Sequence, residues 1–289
     1  MKNERICIVT DDNAGFSEEE AKQLGLRIVK MPIIIDGVSY FQNENITTDK
    51  FYKAMEDDKD ITTSQPSPGM IIEMWDDILK EYDSILHIPM TSGLSEECNT
   101  AKMLAKEYGD KVQVVDNHRI SVTLKSAVYD AIKLSKTNKS AKEIKEILEA
   151  QGFESSIYIM VDTLKYLKKG GRITPAGALL GATLHIKPVL SIFGEKLDAY
   201  KKAIGTKKAK QIMIDAIKND LNVKFKDSKI EDLTFGMAYT HNLDDANAFK
   251  KEVSKEFNIK EEDIIMDELS LSVATHIGPG SLALTITKK

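Results

Sequence analysis

The strongest constraint on the fold is a repeated handover from a short apolar run to a helical pattern. Residues 5–10 (Arg5-Ile6-Cys7-Ile8-Val9-Thr10) stop on Asp11-Asp12-Asn13, and Ser17-Glu18-Glu19-Glu20 then opens a helix with a capping box. The order returns at residues 84–89, ahead of a helix over 96–108, and at 111–116, ahead of helices over 121–135 and 140–151. Strands that alternate with helices build βαβ units, hence a parallel sheet whose carboxyl ends line a ligand crevice. Asp11 and Asp12 fall at such an end. A metal there lacks further ligands at suitable spacing, so hydrogen bonds to loops are the preferred reading. Residues 26–40 break the pattern: β-branched residues split by Asp36-Gly37 predict a hairpin, a β-ribbon inserted in this α/β domain. A short helix is expected over 47–55.

The polar loop Gln151-Gly152-Phe153-Glu154 marks a domain boundary, with an α/β domain over 1–152 and an α+β domain over 153–289. The second domain opens on a strand over 156–161. Gly170-Gly171 ends a helix, and Thr174-Pro175 caps the next, over 176–184. That helix is apolar nearly all round, so it is expected to be buried or to line an apolar cavity. Residues 185–193 and 196–203 alternate and meet at Gly194-Glu195 as a hairpin. A helix over 206–221, a strand over 233–240, a helix over 244–257 and two strands complete the domain. The last strand, 282–287, follows the turn Thr275-His276-Ile277-Gly278-Pro279-Gly280.

Composition narrows the functional classes. With 289 residues, 42% hydrophobic and 29% charged, the chain is an ordinary globular protein. A net charge of −5 argues against nucleic acid as a partner. Two cysteines, Cys7 and Cys98, make neither a disulfide framework nor a four-thiolate metal site. The apolar run near the N-terminus is too short for a signal peptide, and none approaches the roughly 18 residues of a spanning helix. A soluble, cytoplasmic protein is expected, with no metal or cofactor.

Chemistry concentrates in two hydroxyl-rich stretches. Thr62-Thr63-Ser64-Gln65-Pro66-Ser67-Pro68-Gly69 reads as a loop feeding a helix, with Ser67 as N-cap and Pro68 as first helical residue. Unpaired N–H groups at such a terminus favour an anion. Met90-Thr91-Ser92-Gly93-Leu94-Ser95 repeats the arrangement. Two such turns in one parallel sheet are expected to bring Thr62, Thr63, Ser92 and Ser95 together at its carboxyl edge. An uncharged set of hydroxyls with helix N–H groups suits a carboxylate. His276 adds charge when protonated, or a hydrogen bond when neutral.

Three other motifs fail on mechanism. Gly278-Pro279-Gly280-Ser281-Leu282-Ala283 has the spacing of a dinucleotide fingerprint but no helix can follow it. No phosphate-cradling loop exists, since Lys168-Lys169-Gly170-Gly171-Arg172 lacks the spacing. Gly93-Leu94-Ser95-Glu96-Glu97 resembles a nucleophile elbow with His276 as base, yet Glu97 occupies a position that needs a small residue. A Ser95-dependent hydrolase of a small acyl substrate therefore stands as the alternative function, with a lipid-responsive regulator as a third.

Taken in order, the Thr62–Gly69 stretch, the Ser92-Gly93-Leu94-Ser95 turn, Leu167-Lys168-Lys169-Gly170-Gly171-Arg172 and Thr275-His276-Ile277-Gly278-Pro279-Gly280 resemble the DegV family along the whole chain. The resemblance implies a fatty-acid-binding protein, not itself an enzyme. It would be the acyl-carrying subunit of a bacterial fatty-acid kinase that serves phospholipid metabolism. It further implies that Thr62, Thr63 and Ser95 hold the carboxylate with His276 close by, and that Arg172 lies at the entrance where the kinase docks. One departure is Glu96-Glu97, where the family usually continues with Gly-Thr or Gly-Ser.

Burying a C16 chain at roughly 0.8 kcal/mol per methylene gives on the order of 10 kcal/mol before association costs. The tail thus needs an apolar tunnel, for which Leu164, Leu167, Leu179, Leu180, Leu184, Ile186 and Ile192 are candidate liners. Exchange of such a ligand with a bilayer implies transient peripheral membrane contact.

Overall fold

The computed structural model describes residues 4–180 and 186–289. Along the chain, β1 (Ile6–Asp11) leads to α1 (Glu18–Leu24) and β2 (Arg27–Val29). Next come β3 (Ile33–Ile35), β4 (Val38–Tyr40), α2 (Thr48–Glu56), β5 (Ile61–Thr63) and α3 (Pro68–Ile78). β6 (Ser84–Ile88), α4 (Glu97–Ala105), β7 (Val112–Val114), α5 (Val122–Ser135) and α6 (Ala141–Ala150) follow. The remainder holds β8 (Ser155–Met160), α7 (Lys165–Gly170), α8 (Pro175–Ala178), β9 (Ile186–Ile192), β10 (Asp198–Ile204) and α9 (Thr206–Val223). It ends with β11 (Leu233–Tyr239), α10 (Leu243–Phe257), β12 (Ile265–Glu268), α11 (Leu271–Ile277) and β13 (Leu282–Lys288).

The apolar runs become a four-stranded parallel sheet in the order β2-β1-β6-β7. Its central strands β1 and β6 are buried on both faces, as parallel strands between helices are. Cys7 and Val9 of β1 face one core with Trp75 and Cys98. Ile8, one residue out of phase, faces another core with Leu124 and Ile144. That second core continues into a six-stranded sheet, β10-β9-β8-β13-β11-β12, through Ile157, Ile159, Leu190 and Ala283. All its neighbours are antiparallel except β11 and β12. The opposite face of this sheet carries α9 and α10 over Met213, Ile217 and Phe249. The protein is thus a mixed α/β fold, parallel sheet first and mixed sheet second.

Local chemistry accounts for the boundaries. Asp36 and Gly37 both take positive φ, 49° and 82°, as a tight two-residue hairpin loop requires. Ser67 accepts from the Met70 N–H with Pro68 at the first helical position. Ser140 and Glu143 close a capping box on α6, and Gly171 terminates α7 at φ 68°.

Four expectations are corrected. β2 joins the parallel sheet, so the ribbon consists of β3, β4 and β5. Thr62 and Thr63 therefore lie in a strand, because Ile61-Thr62-Thr63 is β-prone and pairs with β3. The apolar helix over 176–184 is described only as α8 and the turn after it, residues 181–185 lying outside the described residues; Leu179 is 81% exposed. His276 belongs to the last turn of α11, where a turn was expected; Ser270 caps that helix on the Val273 N–H.

Candidate functional site: an apolar cavity with a polar end

A cavity of about 310 Å³ lies in the core that joins the two sheets. Its floor is one face of the six-stranded sheet. Ile192, Ile157 and Thr285 stand side by side in register across β9, β8 and β13. Ile159, Ala283 and Ala238 form the next row across β8, β13 and β11. Met31, Met90, Leu94 and Ile120 from the first half of the chain close the opposite side. Both halves therefore supply apolar wall. Of the candidate liners, Leu167 and Ile192 reach it. Leu164 is ordinary core, Leu179 is exposed, Leu180 is packed beside the core, and Ile186 is half-buried. Leu184 lies outside the described residues.

The polar end gathers Thr63, Ser95, Arg172 and His276. Ser64 and Glu96, both exposed, also line it, so this end opens to solvent. Thr63 Oγ1 lies 2.7 Å from His276 Nε2. Burial, with the Arg172 cation nearby, pushes the His276 imidazole down to about 4. At neutral pH it is uncharged, and its tautomer decides which atom of the Thr63 pair donates. Arg172 donates to the Leu94 carbonyl at 3.3 Å and to the Gly170 carbonyl. It is the single Lys or Arg among the described lining residues. A fixed positive charge thus stands beside the hydroxyls at this end. Gly170 backs onto the histidine: a Cβ there would stand 2.1 Å from His276 Nδ1.

Ser95 Oγ accepts from the Glu97 N–H at 3.2 Å, which leaves its own proton for a ligand. Its φ is negative, unlike the strained serine of a nucleophile elbow. Thr62 is not brought to the cavity. Successive strand residues face opposite sides, and with Thr63 inward Thr62 is exposed. Ser92 is also absent from the wall; its N–H donates to the Asp116 carboxylate at 3.3 Å. The N-terminus of α3 lies off the cavity, which Thr63, Ser64 and Gln65 reach and Ser67 to Gly69 do not. Neither Ser121 nor Thr285, which also line the cavity, was marked by local pattern; register and helix packing place them.

Asp11 and Asp12 serve as acceptors for loops. Asp11 takes the Asn13 N–H at 2.9 Å and the Met90 N–H at 2.6 Å; Asp12 takes the Met31 N–H at 3.1 Å. Two cavity methionines are thereby hung from the end of β1. Glu97 is fully buried beside Asp11, with Oε1 3.7 Å from Nε2 of the buried His87. Burial and the two aspartates drive its carboxyl well above the ordinary carboxylate range, which favours the protonated form. Glu96 alone of the acidic pair reaches the cavity rim. Among the described residues, no group of three or more His, Cys, Asp or Glu side chains is arranged to hold a metal ion.

Comparison with known proteins agrees along the whole chain. A DegV domain-containing protein of Staphylococcus aureus is 27% identical over 282 residues, 98% of each chain. One from Caldanaerobacter subterraneus subsp. tengcongensis is 28% identical over 288 residues, 99% of this chain and all of that one. The structure of a fatty-acid-binding DegV family protein from Thermus thermophilus superposes with a TM-score of 0.88 at 28% identity, covering 99% of this chain and 100% of that one. A fatty-acid-binding DegV family protein from Streptococcus agalactiae gives 0.87 at 25% identity, with 99% of each chain covered. The family model described as "uncharacterised protein, DegV family" matches residues 5–289, and the chain belongs to that family.

Proposed function

We propose that this protein binds a long-chain fatty acid in the cavity, tail along the sheet face and carboxylate at the Thr63–Ser95–His276 end. The observation that carries the reading is a single enclosure of about 310 Å³, lined mostly by apolar side chains, with hydroxyls, an imidazole and one guanidinium gathered at one end. That volume falls at the lower end of the range of roughly 300–1,000 Å³ typical of ligand pockets. The fatty-acid-binding relatives from Thermus thermophilus and Streptococcus agalactiae support the same assignment.

The chain presents the carboxylate rather than transforming it. The polar end opens to solvent beside Arg172, where a partner kinase would dock and form the acyl phosphate. Residues 1–152 would supply most of the carboxylate end and 153–289 most of the tunnel. We place the protein in the cytoplasm, with transient peripheral membrane contact for ligand exchange; no described helix is long and apolar enough to cross a bilayer. Native mass spectrometry of the purified protein, followed by denaturing extraction, tests the assignment. A stoichiometric C14–C18 fatty acid is expected. A protein that stays empty after incubation with fatty acids would return the Ser95 hydrolase to first place.

A further inference from the structure

Two further hydroxyls line the cavity besides those of Thr63 and Ser95. Ser121 and Thr285 are 8% and 2% exposed, and both are on the wall. Among the described residues neither side-chain oxygen has a hydrogen-bond partner, although each faces a lining that is otherwise mostly apolar. Thr285 stands on β13 between Ile157 of β8 and Gly236 of β11. A Cβ on Gly236 would lie 2.6 Å from Thr285 Oγ1 and 2.9 Å from Cγ2 of Val122. The residue after Ser121 therefore packs against the same row as Thr285.

Depth follows from the register. α7, whose Gly170 backs onto His276, leaves the carboxyl end of β8. Thr285 and Ile157 are one row further from that end than Ala283 and Ile159. Ser121 holds φ 57° and ψ −137°, a conformation that glycine adopts freely and a serine rarely does. Serine at that position keeps a hydroxyl on the wall in spite of the backbone strain.

A plain hydrocarbon tail passing these residues would leave both hydroxyls dry and unpaired, which is unfavourable. We propose that the deep part of the cavity selects an acyl chain carrying an oxygen partway along, a hydroxyl or keto group that Ser121 and Thr285 hydrogen-bond. This rests on the fatty-acid reading above and names the class of tail. Delipidated full-length protein is loaded with equal amounts of stearate and one of its mid-chain hydroxystearate isomers, and the retained ratio is read by mass spectrometry. One isomer is expected to be favoured about threefold to tenfold, the worth of one hydrogen bond. Thr285→Val and Ser121→Gly, the latter relieving the backbone, are expected to shift that ratio towards stearate. Uptake of stearate with exclusion of every hydroxy isomer overturns the proposal, as does an unchanged ratio in both variants. Uptake of neither acid overturns the fatty-acid reading itself.

Discussion

Thr62 and Thr63 differ by one residue and by everything that matters to a ligand. Thr63 pairs with His276 on the cavity wall, while Thr62 faces solvent across the same strand. Thr63→Val is expected to weaken the hold on the carboxylate by about three- to tenfold, the worth of one hydrogen bond, whereas Thr62→Ala leaves it unchanged. Fatty-acid titration of both variants separates the two. If the tail supplies most of the affinity, as the proposed function requires, His276→Ala should lower acyl-phosphate formation by the proposed partner kinase more than it lowers total lipid bound. Equal losses would mean that the carboxylate contacts dominate. Glu97 gives a pH signature of its own. The unfolded chain releases its proton near the ordinary carboxyl pKa, and the folded chain retains it. Its stabilising contribution is therefore full at low pH and falls as pH rises above about 4.5. Glu97→Gln should gain stability relative to the native chain at pH 8 compared with pH 5, measured by denaturant unfolding.

At the scale of elements, β1, β6 and β7 of the parallel sheet were legible because each is one apolar run, whereas the short edge strand β2 read as part of the ribbon. Ser67 caps as its neighbours predict; Ser17 also caps, but the expected capping box does not close, because the Glu20 carboxylate accepts from the Tyr129 hydroxyl. β5 was not legible: three residues beside two prolines read as loop until a partner strand is known. α11 was missed for a related reason, since seven residues are too few for a period to show. The cavity's deep hydroxyls and the burial of Glu97 arise from pairing across distant strands, which no local window contains. α7 and α11 meet through Gly170, so that glycine has a steric role. Gly170→Ala must displace the His276 ring, at an expected cost of about 1–3 kcal/mol. Denaturant unfolding should register that cost, and fatty-acid retention should fall with it.

For the whole molecule, two histidines, His87 fully buried and His276 half-buried, weaken the fold towards acid pH. Burial holds His276 at about 4 and His87 at about 3, both below the ordinary value of about 6.5. Each is neutral when folded and takes up a proton when unfolded, so their contribution is present above pH 6.5 and is lost as pH falls towards 4. Glu97 acts in the opposite sense, and the two slopes should separate when His276→Gln and Glu97→Gln are titrated against denaturant. Saturation with fatty acid at about 100 times its Kd should add about 2.7 kcal/mol, and thermal melting should rise by roughly 5 °C over the delipidated chain.

The cavity's position in the core shared by the two sheets extends that last point from the test tube to the cell. A ligand lodged there completes the interior of the protein, so loaded and unloaded chains differ in how often they open to a protease. Turnover would then remove unloaded chains first. The abundance of this protein should follow the supply of its proposed acyl ligand, with no dedicated sensor needed.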